Sequence, residues 1–159
     1  ATFAAFTVTL VSGMAQLFSR LKTYAFVENT VEVTDVFRAT NNPVHVTEAL
    51  SRVEGMKFLD ASTDYGRALR QFWAAVGPQL GRRSTVLIFG DARGNYRAAE
   101  EATLARIADK AGALYWLNPE RAAYWGTGDS LMKVYVPHCT EAVSCRTLSD
   151  LRRFVASLE

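Results

Sequence analysis

The chain has 159 residues, of which 49% are hydrophobic and 21% charged, and a formal net charge of +2, proportions that suit one soluble globular domain with a single core. Basic and acidic residues are spread along the chain, with no basic patch and no interleaving of aromatic with basic residues, which argues against nucleic acid as a partner. Two cysteines, Cys139 and Cys145, are too few for a disulfide scaffold, so a reducing cytoplasm is the expected compartment.

The opening run ATFAAFTVTLVSGMAQLF carries no formal charge, and a run of that length can signal a membrane span. It also holds three Thr, a Ser and a Gln, and no basic residue precedes it as in a signal peptide. Phe3, Phe6, Leu10, Met14, Leu17 and Leu21 recur at helical spacing, with the hydroxyl residues mostly off that stripe. The segment is therefore read as a core helix and no membrane span is expected. Because the chain begins without Met, directly in this helix, a fragment or processed chain is expected, with sequence missing upstream.

TYAFVEN (23–29) and TVEVTDVF (30–37) read as two strands of a hairpin turning at Glu28, Asn29 and Thr30. In NNPVHVTEALSRVEG, Asn42 caps a short helix, Pro43 takes its first position and Gly55 stops it, with Val46, Leu50 and Val53 facing inward. A loop, MKFLDASTDYG, leads into a helix over RALRQFWAAVGPQL with Leu69, Phe72, Trp73 and Val76 on one face, loosened at Gly77 and Pro78. STVLIFGD is a continuous apolar strand of the kind found in the buried middle of a parallel sheet. A helix over 97–111 places Leu104 and Ile107 inward and ends at Gly112, and ALYWLNP is another buried strand. A short helix is expected from about Asp129, then a short edge strand, AVSCR. The closing helix has Thr147 as cap and Asp150 three residues on, with Leu148, Leu151, Phe154, Val155 and Leu158 inward. Strands alternating with helices, without repeats or linkers, predict one doubly wound α/β domain.

In open α/β sheets, ligands bind beyond the carboxyl ends of the strands. Asp91 stands at such an end, and STDYG (62–66), at the start of the preceding helix, is expected on the same rim. A hydroxyl and a carboxylate converging there would suit a hard cation such as magnesium. The residues also admit plainer roles: Asp91 as a turn or cap, and Ser62, Thr63 or Asp64 as the cap of the helix that follows. His138, Cys139 and Cys145 lack a zinc-ligand spacing and His45 reads as a surface side chain. GDARGN has neither the Lys and Ser/Thr of a P-loop nor the spacing of a dinucleotide turn. DASTD (60–64) faintly resembles the acidic loops of phosphatases but follows a poor strand, and no Ser-His-Asp set is evident.

STDYGRALRQF, VLIFGDARGNY, LYWLNPE, YWGTGDSLMKVY and PHC followed by RTLSDLRRFV, taken in this order, resemble the von Willebrand factor A domain of CoxE-like bacterial proteins. TYAFVENTVEVTDVF resembles that domain's second and third strands, so the likeness covers nearly the whole chain. It implies a Rossmann-like doubly wound sheet, mostly parallel with one antiparallel edge hairpin strand, bearing a metal-ion-dependent adhesion site. Such a site uses an Asp-x-Ser-x-Ser loop after the first strand, a Thr in a second loop and an Asp in a third. Thr63 matches the second position and Asp91 the third, while residues 1–18 contain no Asp. The expectation is therefore an upstream strand that ends in the first loop and fills the sheet between TYAFVEN and VLIFGD.

The function the resemblance implies is protein binding, not catalysis. Asp91 and Thr63 would hold Mg2+ or another divalent cation, a partner's Asp or Glu would fill the open position, and Arg93, Asn95 and Tyr96 would form the partner-binding rim. CoxE-like proteins are typically encoded with MoxR-type AAA+ ATPases and are thought to help them remodel or mature client metalloenzymes, so such an ATPase or its client is the implied partner. The alternative is a magnesium-dependent phosphatase or other small α/β hydrolase using Asp60, Asp64 or Asp91.

Overall fold

The computed structural model describes residues 2–27, 29–56 and 62–158. The chain divides into two compact units, residues 1–63 and 64–159.

The first unit contains α1 (Thr2–Leu17), β1 (Tyr24–Phe26), β2 (Thr30–Glu32), α2 (Thr34–Ala39) and α3 (Pro43–Ser51). Its core joins Val8, Val11 and Ala15 of α1 to Val33, Phe37, Val46 and Leu50. The buried stripe of α1 is thus Val8, Val11, Ser12 and Ala15, not the predicted one: Phe6, Leu10 and Met14 are only half-buried, and the side chains of Phe3 and Leu17 lie outside the described residues. A helix that is apolar on most of its circumference offers two adjacent stripes of helical period, and periodicity alone does not choose between them. Here α2 and α3 pack on α1 through the stripe with the smaller side chains.

β1 and β2 form the predicted hairpin, in register Tyr24↔Glu32, Ala25↔Val31, Phe26↔Thr30, but as a two-stranded sheet of their own. Of the predicted turn, Thr30 belongs to β2 and Glu28 lies outside the described residues. The second strand stops at Glu32, and residues 34–37, expected to continue it, belong to the helix Thr34–Ala39. The Thr34 hydroxyl accepts the Thr23 N–H at 2.9 Å and donates to Glu32 Oε1 at 3.0 Å, closing the ladder with a side chain. Asp35 in the first turn and Arg38 in the last suit the helix dipole. Arg38 also donates to the carbonyls of Phe18, Ser19 and Leu21, at 3.3, 2.9 and 3.2 Å, satisfying backbone acceptors just past α1. α3 starts as predicted: Asn42 accepts the Val44 N–H at 3.0 Å and Pro43 follows it.

The second unit runs α4 (Tyr65–Val76), β3 (Thr85–Phe89), α5 (Glu101–Lys110), β4 (Ala113–Asn118), α6 (Met132–Tyr135), β5 (Glu141–Ser144) and α7 (Leu148–Ala156). The strands form a parallel sheet in the order β3-β4-β5, with Val86 opposite Leu114 and Trp116 opposite Ala142. β4, buried at Leu114, Trp116, Leu117 and Asn118, is the central strand. Among the described residues β3 pairs only with β4, so the run expected in the buried middle lies at an edge, with Leu87, Ile88 and Phe89 half-buried. Successive residues of β4 meet different helices: the Tyr115 ring meets Phe154 of α7 edge-on at 5.3 Å, while Trp116 stacks on Tyr135 of α6 at 4.9 Å and lies 5.7 Å from Tyr65 of α4.

α5 begins at Glu101, later than predicted, because Glu100 has φ 55° and breaks the helical path. α6 begins at Met132, three residues after the expected Asp129, whose side chain is used elsewhere. α7 has the expected capping box between Thr147 and Asp150, but its apolar face is narrower than predicted. Leu151 and Phe154 are buried, whereas Leu148, Val155 and Leu158 are 57%, 45% and 45% exposed. Among the described residues no helix is long and apolar enough to cross a membrane.

Candidate functional site

Asp91 follows β3 directly through Gly90, and the neighbouring strand β4 fixes both backbones. The Gly90 N–H donates to the Leu117 carbonyl at 3.2 Å, and the Trp116 indole N–H donates to the Gly90 carbonyl at 2.8 Å. Asn118, fully buried at the end of β4, donates its side-chain amide to the Asp91 carbonyl at 3.0 Å. Gly90 is needed here because a Cβ would strike the Tyr65 phenol oxygen.

That phenol is also a hydrogen-bond donor to the Asp91 carboxylate. The Tyr65 hydroxyl donates to Asp91 Oδ1 at 3.1 Å, and the Arg93 backbone N–H donates to the same oxygen at 2.9 Å. Tyr65 is 4% exposed, and its phenol is held neutral, well above its usual pKa, first by burial and then by the charge of Asp91. The Ala92 N–H works in the other direction. Asp91 is half-buried and sits at the rim of the sheet with one carboxylate oxygen organised by two donors.

The side chain of Arg93 turns to the loop after β4 rather than to Asp91. Its Nε and one terminal nitrogen grip Glu120 in a bidentate pair, at 3.0 and 2.7 Å. The other terminal nitrogen reaches the Thr127 carbonyl at 2.5 Å and Asp129 Oδ1 at 3.3 Å. Glu120 above all holds this guanidinium more firmly protonated than usual. Asp129 continues the staple: its carbonyl accepts the Gly94 N–H at 3.0 Å and its Oδ2 the Asn95 N–H at 2.9 Å. The Asn95 N–H first, and Arg93 after it, lower the Asp129 pKa below its ordinary value.

Residues 94–97 then form a tight turn in which the Arg97 N–H donates to the Gly94 carbonyl at 3.0 Å. Its central residues, Asn95 and Tyr96, have φ of 51° and 57°, and Ala92 and Glu100 share this left-handed conformation. A bulky residue at positive φ costs about 1–3 kcal/mol and persists only where surrounding structure enforces it. The enforcement is visible: the Ala92 carbonyl accepts the Leu131 N–H at 2.9 Å and the Ala99 carbonyl accepts the Tyr135 hydroxyl at 2.7 Å. Tyr96 is thereby displayed at 88% exposure on a loop tied down along its length.

Of the predicted rim, Asn95 and Tyr96 are exposed, while Arg93 is mostly spent on Glu120, Thr127 and Asp129. Thr63 is half-buried and ends the first unit. Asp64, not Thr63, caps α4: it accepts the Arg67 N–H at 2.9 Å and pairs with Arg97 at 3.7 Å. Asp60 lies outside the described residues. His45 is exposed as expected, and His138 contacts Glu101 at 2.8 Å. Both thiols are free, and burial raises the pKa of each, Cys139 to about 11.

Among the described residues no three His, Cys, Asp or Glu side chains gather as a metal cluster. The donor chemistry still suits a hard cation in kind, because Asp91 offers carboxylate oxygen and the adjacent guanidinium does not neutralise it. In number the donors leave most positions to water, as magnesium tolerates. Sequence reasoning missed Tyr65, Asn118, Glu120 and Asp129. Only Tyr65 carried a signal, two residues after Thr63; the others act through contacts between loops far apart in sequence.

The family model described as "VWA domain containing CoxE-like protein" matches residues 1–152. No curated protein and no solved structure matches the chain. The chain, with its parallel sheet, its alternating helices and a carboxylate delivered at the end of β3, belongs to the family of VWA domain containing CoxE-like proteins.

Proposed function

We propose that this chain is a metal-ion-dependent protein-binding module built on a doubly wound von Willebrand factor A sheet. It acts in the cytoplasm as an accessory partner of a MoxR-type AAA+ ATPase in remodelling or maturing a client protein. When bound, Mg2+ or a similar cation supplies an open coordination position that an Asp or Glu of the partner completes, giving charge-assisted and geometrically specific recognition. Asp91 holds the cation or its water shell. Asn95 and Tyr96 meet the residues flanking the partner's carboxylate, while Arg93 keeps their loop in place.

The observation that carries this reading is the state of Asp91. Its carboxylate is organised by the Tyr65 hydroxyl and the Arg93 N–H, yet the nearby guanidinium is committed to Glu120 and Asp129. A carboxylate that merely ended a turn would need neither a buried phenol nor a glycine kept bare to admit it. The reading is tested by capture of a purified MoxR-type ATPase on the immobilised protein, with magnesium or with chelator. Binding that needs the cation and is lost in Asp91→Asn supports it; binding indifferent to chelator refutes the bridge.

A further inference from the structure

Tyr65 has no part in the family pattern described above, yet its hydroxyl donates directly to the Asp91 carboxylate. Its ring lies in an aromatic stack, 5.7 Å from Trp116, which in turn stacks on Tyr135 at 4.9 Å. It stands in the first turn of α4, where Asp64 caps the helix. The space for its hydroxyl exists because Gly90 has no Cβ. Three elements, α4, the β3 exit and β4, thus fix one phenol oxygen against one carboxylate oxygen. We infer that Tyr65 is the positioning residue of the cation site: it holds Oδ1 of Asp91 so that the second oxygen is the one through which Asp91 reaches a cation or its water.

Carboxylates that ligate metals are themselves oriented by outer hydrogen bonds, and loss of such a partner typically costs about 10–100-fold in metal affinity. An aspartate swings about two side-chain torsions, and removal of the phenol takes away one of the two donors that hold Oδ1, leaving the Arg93 N–H. Tyr65→Phe removes the hydroxyl and leaves the ring, so packing against Trp116 stays. Tyr135 supplies the control, because it is a buried phenol of the same stack whose hydroxyl ties the far end of the loop, at the Ala99 carbonyl, and does not reach the Asp91 carboxylate.

This inference rests on the cation reading of Asp91, and the experiment separates the two. Mn2+ is titrated into wild type, Tyr65→Phe and Tyr135→Phe, and free Mn2+ is read by its electron paramagnetic resonance signal, with urea unfolding measured beside it. The expected result is binding by wild type, an affinity weaker by about ten-fold in Tyr65→Phe, and wild-type affinity in Tyr135→Phe. If wild type binds and Tyr65→Phe binds equally well, the positioning role is overturned while the cation reading stands. Equal losses in both variants overturn it too, since loosening of the stack would then explain the effect. A wild type that takes up no Mn2+ overturns the cation reading and this inference with it.

Discussion

Arg93 was expected to face a partner, and its geometry makes it a staple whose removal has a measurable internal cost. In Arg93→Ala the bidentate grip on Glu120, the bond to the Thr127 carbonyl and the contact with Asp129 are lost together. The Arg93 and Glu120 side chains are 25% and 28% exposed, so the pair is neither a free surface pair nor a buried one. Exposed pairs contribute about 0.2–1 kcal/mol and bonds to charged groups about 1.5–3. Discounted for solvent, the whole set contributes about 2–3 kcal/mol, or about 4–12 °C in the midpoint of a chain this size. Trp73, Trp116 and Trp125, the chain's three tryptophans, all lie in the second unit, so urea unfolding followed by tryptophan fluorescence reports that unit. Arg93→Lys should recover little, because an ammonium cannot reproduce the fork on Glu120. In a double-mutant cycle with Glu120→Gln, the coupling should be about 1 kcal/mol or more. A loss under about 0.5 kcal/mol for Arg93→Ala, or costs that simply add in the double variant, would refute the staple.

Two further outcomes follow from the same loops and their surroundings. The Asp129 pKa is held below 3.8 by the Asn95 N–H and by Arg93, so its contribution is fully present above that value and declines as pH falls through the depressed one. The stability gap between wild type and Asp129→Asn should therefore close on acidification, and a gap that stays constant down to acid unfolding would contradict the assignment. Burial lifts the Cys139 thiol from 9.0 to about 11. At pH 8 its thiolate fraction falls by about 100-fold, so a thiol reagent should label it far more slowly in folded than in urea-unfolded protein. Equal rates would show that the thiol is not shielded.

The parts of the fold that were legible in the sequence are those set by local chemistry. Asn42 before Pro43, and Thr147 with Asp150, specify helix starts through bonds made within a few residues, and both caps form as read. The strands over 85–89 and 113–118 were legible as apolar runs of strand length. What failed depended on which neighbour arrives. Thr34 ends the second strand through a bond to Thr23 across the hairpin, which no window on residues 30–37 contains. Leu148, Val155 and Leu158 fit a helical face, but only Leu151 and Phe154 are covered. Near the site, the position of Asp91 at the end of a strand was readable, and so was the display of Asn95 and Tyr96. The commitment of Arg93 was not, because Glu120 and Asp129 lie 27 and 36 residues away.

The most direct test of the central claim is calorimetric titration of Mg2+ into the wild-type protein and into Asp91→Asn, which keeps the size of the side chain and removes its charge. Saturable binding to wild type and its loss in Asp91→Asn is the predicted result. Identical isotherms for the two proteins would contradict the claim that Asp91 holds the cation.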